Sequence, residues 1–236
     1  MNYLENKNFV EMKFRTTSGN NVYEQTKILF KLLEPHLKET IRTWIYIKDI
    51  DKNYSGMVKA RNEIFDDNGL TPGNHFIAST GIGSPSKNFL TGEIIKLNAL
   101  IVSGVNQNEF SYISNEEVMP NTSDYGVRFE RGVIYQNIYI LSGTASIDEF
   151  GEVKYPGDIV KQTLCAIDNM NSLLTKYYQS IFNTKKIIGY VRNKKDIKTV
   201  KDICREYLPG IIYEIKEGKV CRPEWLVEFE TMFEGE

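Results

Sequence analysis

Near the C-terminus, the run Trp225-Leu226-Val227-Glu228-Phe229-Glu230 has the side-chain alternation of a β-strand. Trp225, Val227 and Phe229 share one face, and Leu226, Glu228 and Glu230 share the other. The apolar face is expected to pack under helices, leaving the carboxylates to face solvent or a cleft against a neighbouring subunit. Burial in such a cleft would raise the pKa of Glu228. A protonated carboxyl can then deliver a proton to the carbon of an enol ether or enamine, which is general acid catalysis. The plain alternative is a solvated sheet face, the usual setting of a glutamate. Cys221 is the matching candidate nucleophile, with Arg222 or Arg131 able to lower its pKa. It equally suits a small buried apolar position, and Pro223 makes strand parity between Cys221 and Glu228 unreliable.

Other side chains are suited to binding. Arg131 and Arg222 could hold a carboxylate, or could form surface ion pairs such as Arg131 with Glu130. Tyr125 precedes a strand in a loop, where binding residues concentrate. Ser142 and Thr144 flank Gly143, where backbone can approach a small ligand, although the same triplet suits a strand end. Tyr213 offers a hydroxyl or fills a core. Cys165 sits in a helical pattern and reads as packing. Gly81-Ile82-Gly83-Ser84-Pro85 is not followed by a helical pattern, so phosphate cradling is weakly supported. Two histidines, His36 and His75, give no credible Ser-His-Asp arrangement.

Composition sets the frame. The chain has 236 residues, with 29 Lys+Arg against 31 Asp+Glu and a net charge of −2. Neither nucleic acid nor a membrane surface is expected as partner from that balance. No apolar run approaches the length of a membrane span. The start, Met1 to Lys7, has no basic, apolar leader pattern. Three widely spaced cysteines without a Cys-x-x-Cys pair argue against a zinc site, so no metal is expected and a reduced cytoplasmic setting is.

The elements that must position these residues occur twice. A helical pattern from Val22 is followed by a β-rich run, Ile41 to Asp49, and then a second helix carrying Tyr54, Met57, Val58, Ile64 and Phe65. Strands over His75–Thr80 and Glu93–Val102 close the unit. The same order returns from Ile159, with a strand over Lys186–Asn193, a helix through Ile197, Val200, Ile203 and Tyr207, and strands over Ile211–Ile215 and Val220–Phe229. The second unit opens with a clear hairpin, Gly132 to Ile147, whereas the first has a short one. The pattern predicts an α+β fold of two tandem units, with helices on one face of a mixed sheet. Residues 1–105 form the first unit, 106–124 a polar connection and 125–236 the second.

The second unit carries a family resemblance. Ser142-Gly143-Thr144-Ala145-Ser146-Ile147-Asp148, Gly151-Glu152-Val153, Gly157-Asp158 and Gln162-Thr163 resemble the core motif of the Rid/YjgF family. Cys221-Arg222-Pro223-Glu224-Trp225-Leu226-Val227-Glu228-Phe229-Glu230 resembles the final strand of that family, and more closely that of its two-unit relatives, the chorismatases, which remove pyruvate from chorismate. Thr43 to Ile50, Met57 to Glu63 and Ala78 to Gly83 resemble the degenerate first unit of the same group. The resemblance implies chorismate-mutase-like units, a homotrimer and no cofactor. It puts the enolpyruvyl-protonating acid on Glu228, the cysteine of the 3-hydroxybenzoate-forming branch on Cys221, and that branch's Arg-Gly pair on Arg131-Gly132. The arginine that Rid deaminases place after a proline is missing from Pro209-Gly210-Ile211-Ile212-Tyr213, and isoleucine cannot replace a two-pronged donor.

The resulting expectation is a chorismatase-like hydrolase for a small anionic enol ether. Glu228 and Cys221 are its catalytic pair, and Arg131, Gly132, Arg222, Tyr125, Ser142, Thr144 and Tyr213 shape the substrate site. The alternatives are a Rid-type enamine/imine deaminase and a non-catalytic trimer binding a small metabolite. A ribonuclease rests on family naming alone.

Overall fold

The structure is a computed structural model describing residues 8–235. The first unit comprises β1 (Phe9–Arg15), α1 (Val22–Leu33), β2 (Thr40–Ile47), α2 (Ile50–Asp67), β3 (Ala78–Gly83) and β4 (Ile95–Val102). The second comprises β5 (Phe110–Ile113), β6 (Gly132–Tyr135), β7 (Ile138–Ala145), α3 (Ile159–Thr175), β8 (Lys186–Val191), α4 (Ile197–Tyr207), β9 (Ile212–Glu217) and β10 (Val227–Glu234).

The repeat is visible in the sheets. Strand order is β1-β4-β2-β3 in one and β5-β6-β7-β10-β8-β9 in the other. In each unit the last strand runs antiparallel between the opening strand and the strand after the first helix, and the third strand joins the edge in parallel. The helices start where side chains can cap them: Asn21 accepts from the Glu24 amide and Asp158 from the Lys161 amide. Each unit has its own core between helices and sheet. Leu29, Phe30, Ile45, Met57 and Leu97 are fully buried in the first, and Met170, Leu173, Val227 and Phe229 in the second. Each such side chain contributes roughly 1.5–3 kcal/mol by leaving water. A third cluster joins the sheets on their helix-free faces, with Ile41, Ala78, Leu100 and Val102 meeting Val133, Ile138 and Ile140.

The structure differs from the sequence reading in four places. The expected connection over 106–124 contains β5, which pairs with β6 and extends the second sheet. In the first unit β1 is a single opening strand paired with β4 rather than half of a hairpin. The strand expected over His75–Thr80 begins at Ala78, and the one expected from Val220 begins only at Val227. Pro223 has no amide proton for a ladder, and residues 220–226 are turns and bends instead. Finally, Glu228 and Glu230 do not lie on a solvated face: they are 5% and 3% exposed, buried within the chain. The helix-free face of β10 is covered by the first unit, which a single strand's periodicity cannot reveal.

Candidate active site

The seam between the units places Glu228 at the wall of a cavity of about 170 Å³. Its other walls include Tyr54 of α2, Gly143 and Ala145 of β7, Tyr125, Phe129 and Arg131 from the segment before β6, and Cys221, Arg222 and Trp225 before β10. The Glu228 carboxyl lies against the backbone of Gly143: a Cβ built there would sit 2.0 Å from its Oε1. Gly143 thus lets the acid lie flat on the neighbouring strand. The Gly143 amide meanwhile donates to Thr80 Oγ1 of β3 at 2.9 Å, tying this part of β7 to the first unit.

Burial pushes the Glu228 carboxyl up to about 8; the nearby Glu230 carboxylate adds to the rise and Arg42 opposes it. Glu230 itself is anchored by four donors. Arg42 Nη2 and Thr80 Oγ1 reach its Oε2 at 2.5 and 2.6 Å, while Trp44 Nε1 and Tyr190 Oη reach its Oε1 at 3.0 and 2.9 Å. Two glutamates two residues apart on one strand face therefore have opposite settings. Glu230 is a paired structural carboxylate, whereas no hydrogen-bond donor among the described residues reaches the Glu228 carboxyl.

Cys221 packs against the cores of both units. Burial raises its thiol to about 12, with the Glu228 carboxylate adding to the rise, and the Tyr54 hydroxyl interacts with it electrostatically. It is therefore a thiol near neutral pH, and the expected lowering by arginine is overturned by desolvation. Arg131 donates to Tyr125 Oη and the Pro120 carbonyl, both at 2.9 Å, leaving Nε without an acceptor. Arg222 donates to the Gly151 carbonyl at 2.8 Å and lies over the rings of Tyr125 and Trp225. Trp225 is held in turn by a 2.8 Å bond from its indole to the Ser146 carbonyl.

Five expected site residues thus share one cavity: Glu228, Cys221, Arg131, Arg222 and Tyr125. The other four do not line it. Gly132 lies within the sheet, where a Cβ would meet the Ile140 carbonyl oxygen at 2.8 Å. The Ser142 hydroxyl donates to the Glu130 carbonyl and accepts from the Ser79 amide. Thr144 bonds back to the Ser142 carbonyl. Tyr213 is on β9, packed against the second core. Missing from the sequence reading were Tyr54, Phe129 and Arg61. Arg61, on α2, is 3% exposed, interacts electrostatically with Tyr54 and Cys221, and buries Nε and Nη2 without an acceptor. An arginine on the buried stripe of an amphipathic helix was the available signal. Among the described residues no His/Cys/Asp/Glu group could hold a metal ion, and no described helix is long and apolar enough to cross a membrane.

This architecture is the chorismatase type of fold. A chorismatase crystal structure superposes with a TM-score of 0.77 over 95% of this chain and 74% of that one, at 21% sequence identity. In sequence the chain is similar to the 3-hydroxybenzoate synthase of Streptomyces hygroscopicus, 28% identical across 86% of this chain. It spans 66% of that relative's length. A Rid-family protein of unknown function from Yersinia pestis aligns with 53% of this chain and 98% of its own at 21% identity, with a TM-score of 0.46. No family model matches the chain. The resemblance in fold and in sequence is to the chorismatases.

Proposed function

We propose that the chain is a hydrolase or lyase of the chorismatase kind, acting on a small anionic enol ether of the chorismate type. The observation that carries this reading is the Glu228 carboxyl, buried at the wall of a cavity flanked by Arg131 and Arg222, where desolvation favours its protonated form. One of them, Arg131, lines the cavity and buries an Nε donor that has no protein acceptor. Each unpaired buried donor costs about 1–3 kcal/mol, and substrate carboxylate oxygens would relieve that cost. A lone buried acid among such donors suits a substrate that brings its own negative charge.

In this reading Glu228 gives its proton to the terminal methylene carbon of the enolpyruvyl group, and the adjacent ether carbon becomes an oxocarbenium ion. The carboxylate left on Glu228 stabilises that cation across a desolvated gap. In the hydrolytic outcome, water adds to the cation and returns its proton to Glu228, and the hemiketal breaks down to pyruvate and a dihydrodiol. In the aromatising outcome, chorismate divides into 3-hydroxybenzoate and pyruvate with no other reactant. The similarity to a 3-hydroxybenzoate synthase and the Cys221 thiol on the cavity wall favour the second outcome. The deaminase alternative gains nothing from the structure, since Tyr213, nearest the missing arginine, is away from the cavity.

The test is chromatography of chorismate incubated with purified protein, scoring 3-hydroxybenzoate, the dihydrodiol and pyruvate, with fresh 2-aminoacrylate in parallel. Products that vanish in Glu228→Gln support the assignment. No chorismate turnover overturns it, and imine hydrolysis instead would move the chain to the deaminases.

A further inference from the structure

The segment that brings Cys221, Arg222 and Trp225 to the cavity has no regular secondary structure. Gln162 of α3 holds its end, donating to the Glu224 carbonyl at 2.9 Å and accepting from the Leu226 amide at 2.8 Å, and a second side chain ties it to the first unit. Arg192 follows β8, and its side chain is 10% exposed. Its Nε donates to the Trp225 carbonyl at 3.0 Å. Its Nη2 donates to the carbonyls of Val220 and of Arg222, the latter at 2.9 Å. Its Nη1 meets both carboxylate oxygens of Asp51, at 2.9 and 3.2 Å. All three nitrogens of the guanidinium are engaged. Three of the contacts bracket Cys221 on both sides, and the remaining two reach the first turn of α2 in the other unit. The same Asp51 takes a 2.8 Å bond from Lys219 Nζ, and the Lys219 carbonyl accepts from the Gly83 amide at 2.8 Å.

We infer that Arg192 is a positioning residue, which with Asp51 clamps the Val220–Trp225 segment to the first unit and so fixes Cys221, Arg222 and Trp225 on the cavity wall. The link to catalysis rests on the reading of the cavity as the reaction site; the clamp itself does not. The planar fork is essential, because a lysine keeps the charge but cannot reach three carbonyls and a carboxylate together. α2 also carries Tyr54, which lines the same cavity as Cys221. The clamp therefore sets the spacing of two cavity walls that come from different units.

The experiment follows the rate at which an aromatic disulfide reagent labels Cys221 in the native protein. Buried Cys165 and Cys204 serve as internal controls. In Arg192→Lys, Cys221 labelling is expected to speed up at least tenfold while Cys165 and Cys204 stay at the wild-type rate. Asp51→Asn, which weakens only the tie between units, is expected to give an intermediate rate. General destabilisation would expose all three thiols together and would overturn the inference, as would unchanged Cys221 labelling in both variants. If Arg192→Lys fails to fold, the Asp51→Asn rate decides. Chorismate kinetics on the same proteins should show a rise in KM of at least tenfold with a smaller change in kcat. A wild type without turnover would sink the functional reading alone, since the labelling result does not depend on it.

Discussion

Gly143 of β7 and Glu228 of β10 lie on adjacent strands, so close that the acid occupies the space of the missing side chain; a Cβ at 143 would sit 2.0 Å from Glu228 Oε1. The neighbouring register pairs Ala145 with Glu228 and Thr144 with Phe229. A methyl group at 143 must therefore displace the carboxyl. Gly143→Ala is expected to lower kcat/KM for chorismate about a hundredfold, the usual effect of misplacing a catalytic group by an ångström. Wild-type kinetics in that variant would show that the acid does not act from this position.

Glu228 also makes stability depend on pH. Its folded pKa of about 8 stands above the ordinary carboxyl value of 4.5, so between those values the folded state holds a proton that the unfolded state has lost. Stability is therefore greatest below about pH 4.5 as far as this group is concerned. It falls as pH rises toward 8 and is level above that. The ceiling is about 5 kcal/mol at about 1.4 kcal/mol per unit. Glu228→Gln removes the penalty, so its melting temperature should exceed that of the wild type at pH 8.5, with the gap closing at pH 5. A gap independent of pH would mean that the carboxyl ionises normally. Turnover should decline through the same alkaline limb as the acid loses its proton.

The Arg42–Glu230 pair is 1% and 3% exposed and joins the units. Removing either partner strands a buried charge, so Arg42→Met and Glu230→Gln should each cost about 3–5 kcal/mol. The double variant should cost less than their sum, since neither charge is left alone. Denaturant unfolding of the four proteins gives the coupling directly, and additive losses would mean the two groups act independently.

Arg222→Ala should raise KM for a carboxylate substrate, with a smaller effect on kcat, because it forms a wall of the cavity with Tyr125 and Trp225. Tyr213→Phe, on β9 and away from the cavity, should leave both constants within about twofold, as substitutions remote from a site usually do. Steady-state kinetics separates the two, and equal effects would place the substrate elsewhere.

Helical and strand periodicity made the tandem repeat legible, because each unit buries one face of its own helices and sheet. The seam was not legible. Glu228 and Glu230 have the same parity on one strand, and it is chiefly the first unit's Arg42, Trp44 and Thr80, joined by Tyr190 of β8, that make one a paired structural carboxylate. Cys221 and Arg222 could be singled out, but their placement depends on Arg192, almost thirty residues away, acting on backbone carbonyls that have no sequence signature. Ser142 and Thr144 have the side chains of a binding site, yet the glycine between them is the residue that meets the acid.

The two halves of this repeat are not two copies of one site. β4 occupies in the first sheet the place of β10 in the second, but its sequence from Ile95 to Val102 contains no carboxylate. The first half thus provides one cavity wall, Tyr54, and anchors such as Arg42 and Thr80, while the buried Glu228 lies in the other half. Under the proposed function, the acid and most of the residues that meet a substrate are then encoded together in the second unit. The first unit is left free to diverge as a scaffold, constrained mainly where Tyr54, Arg42, Trp44 and Thr80 cross the seam.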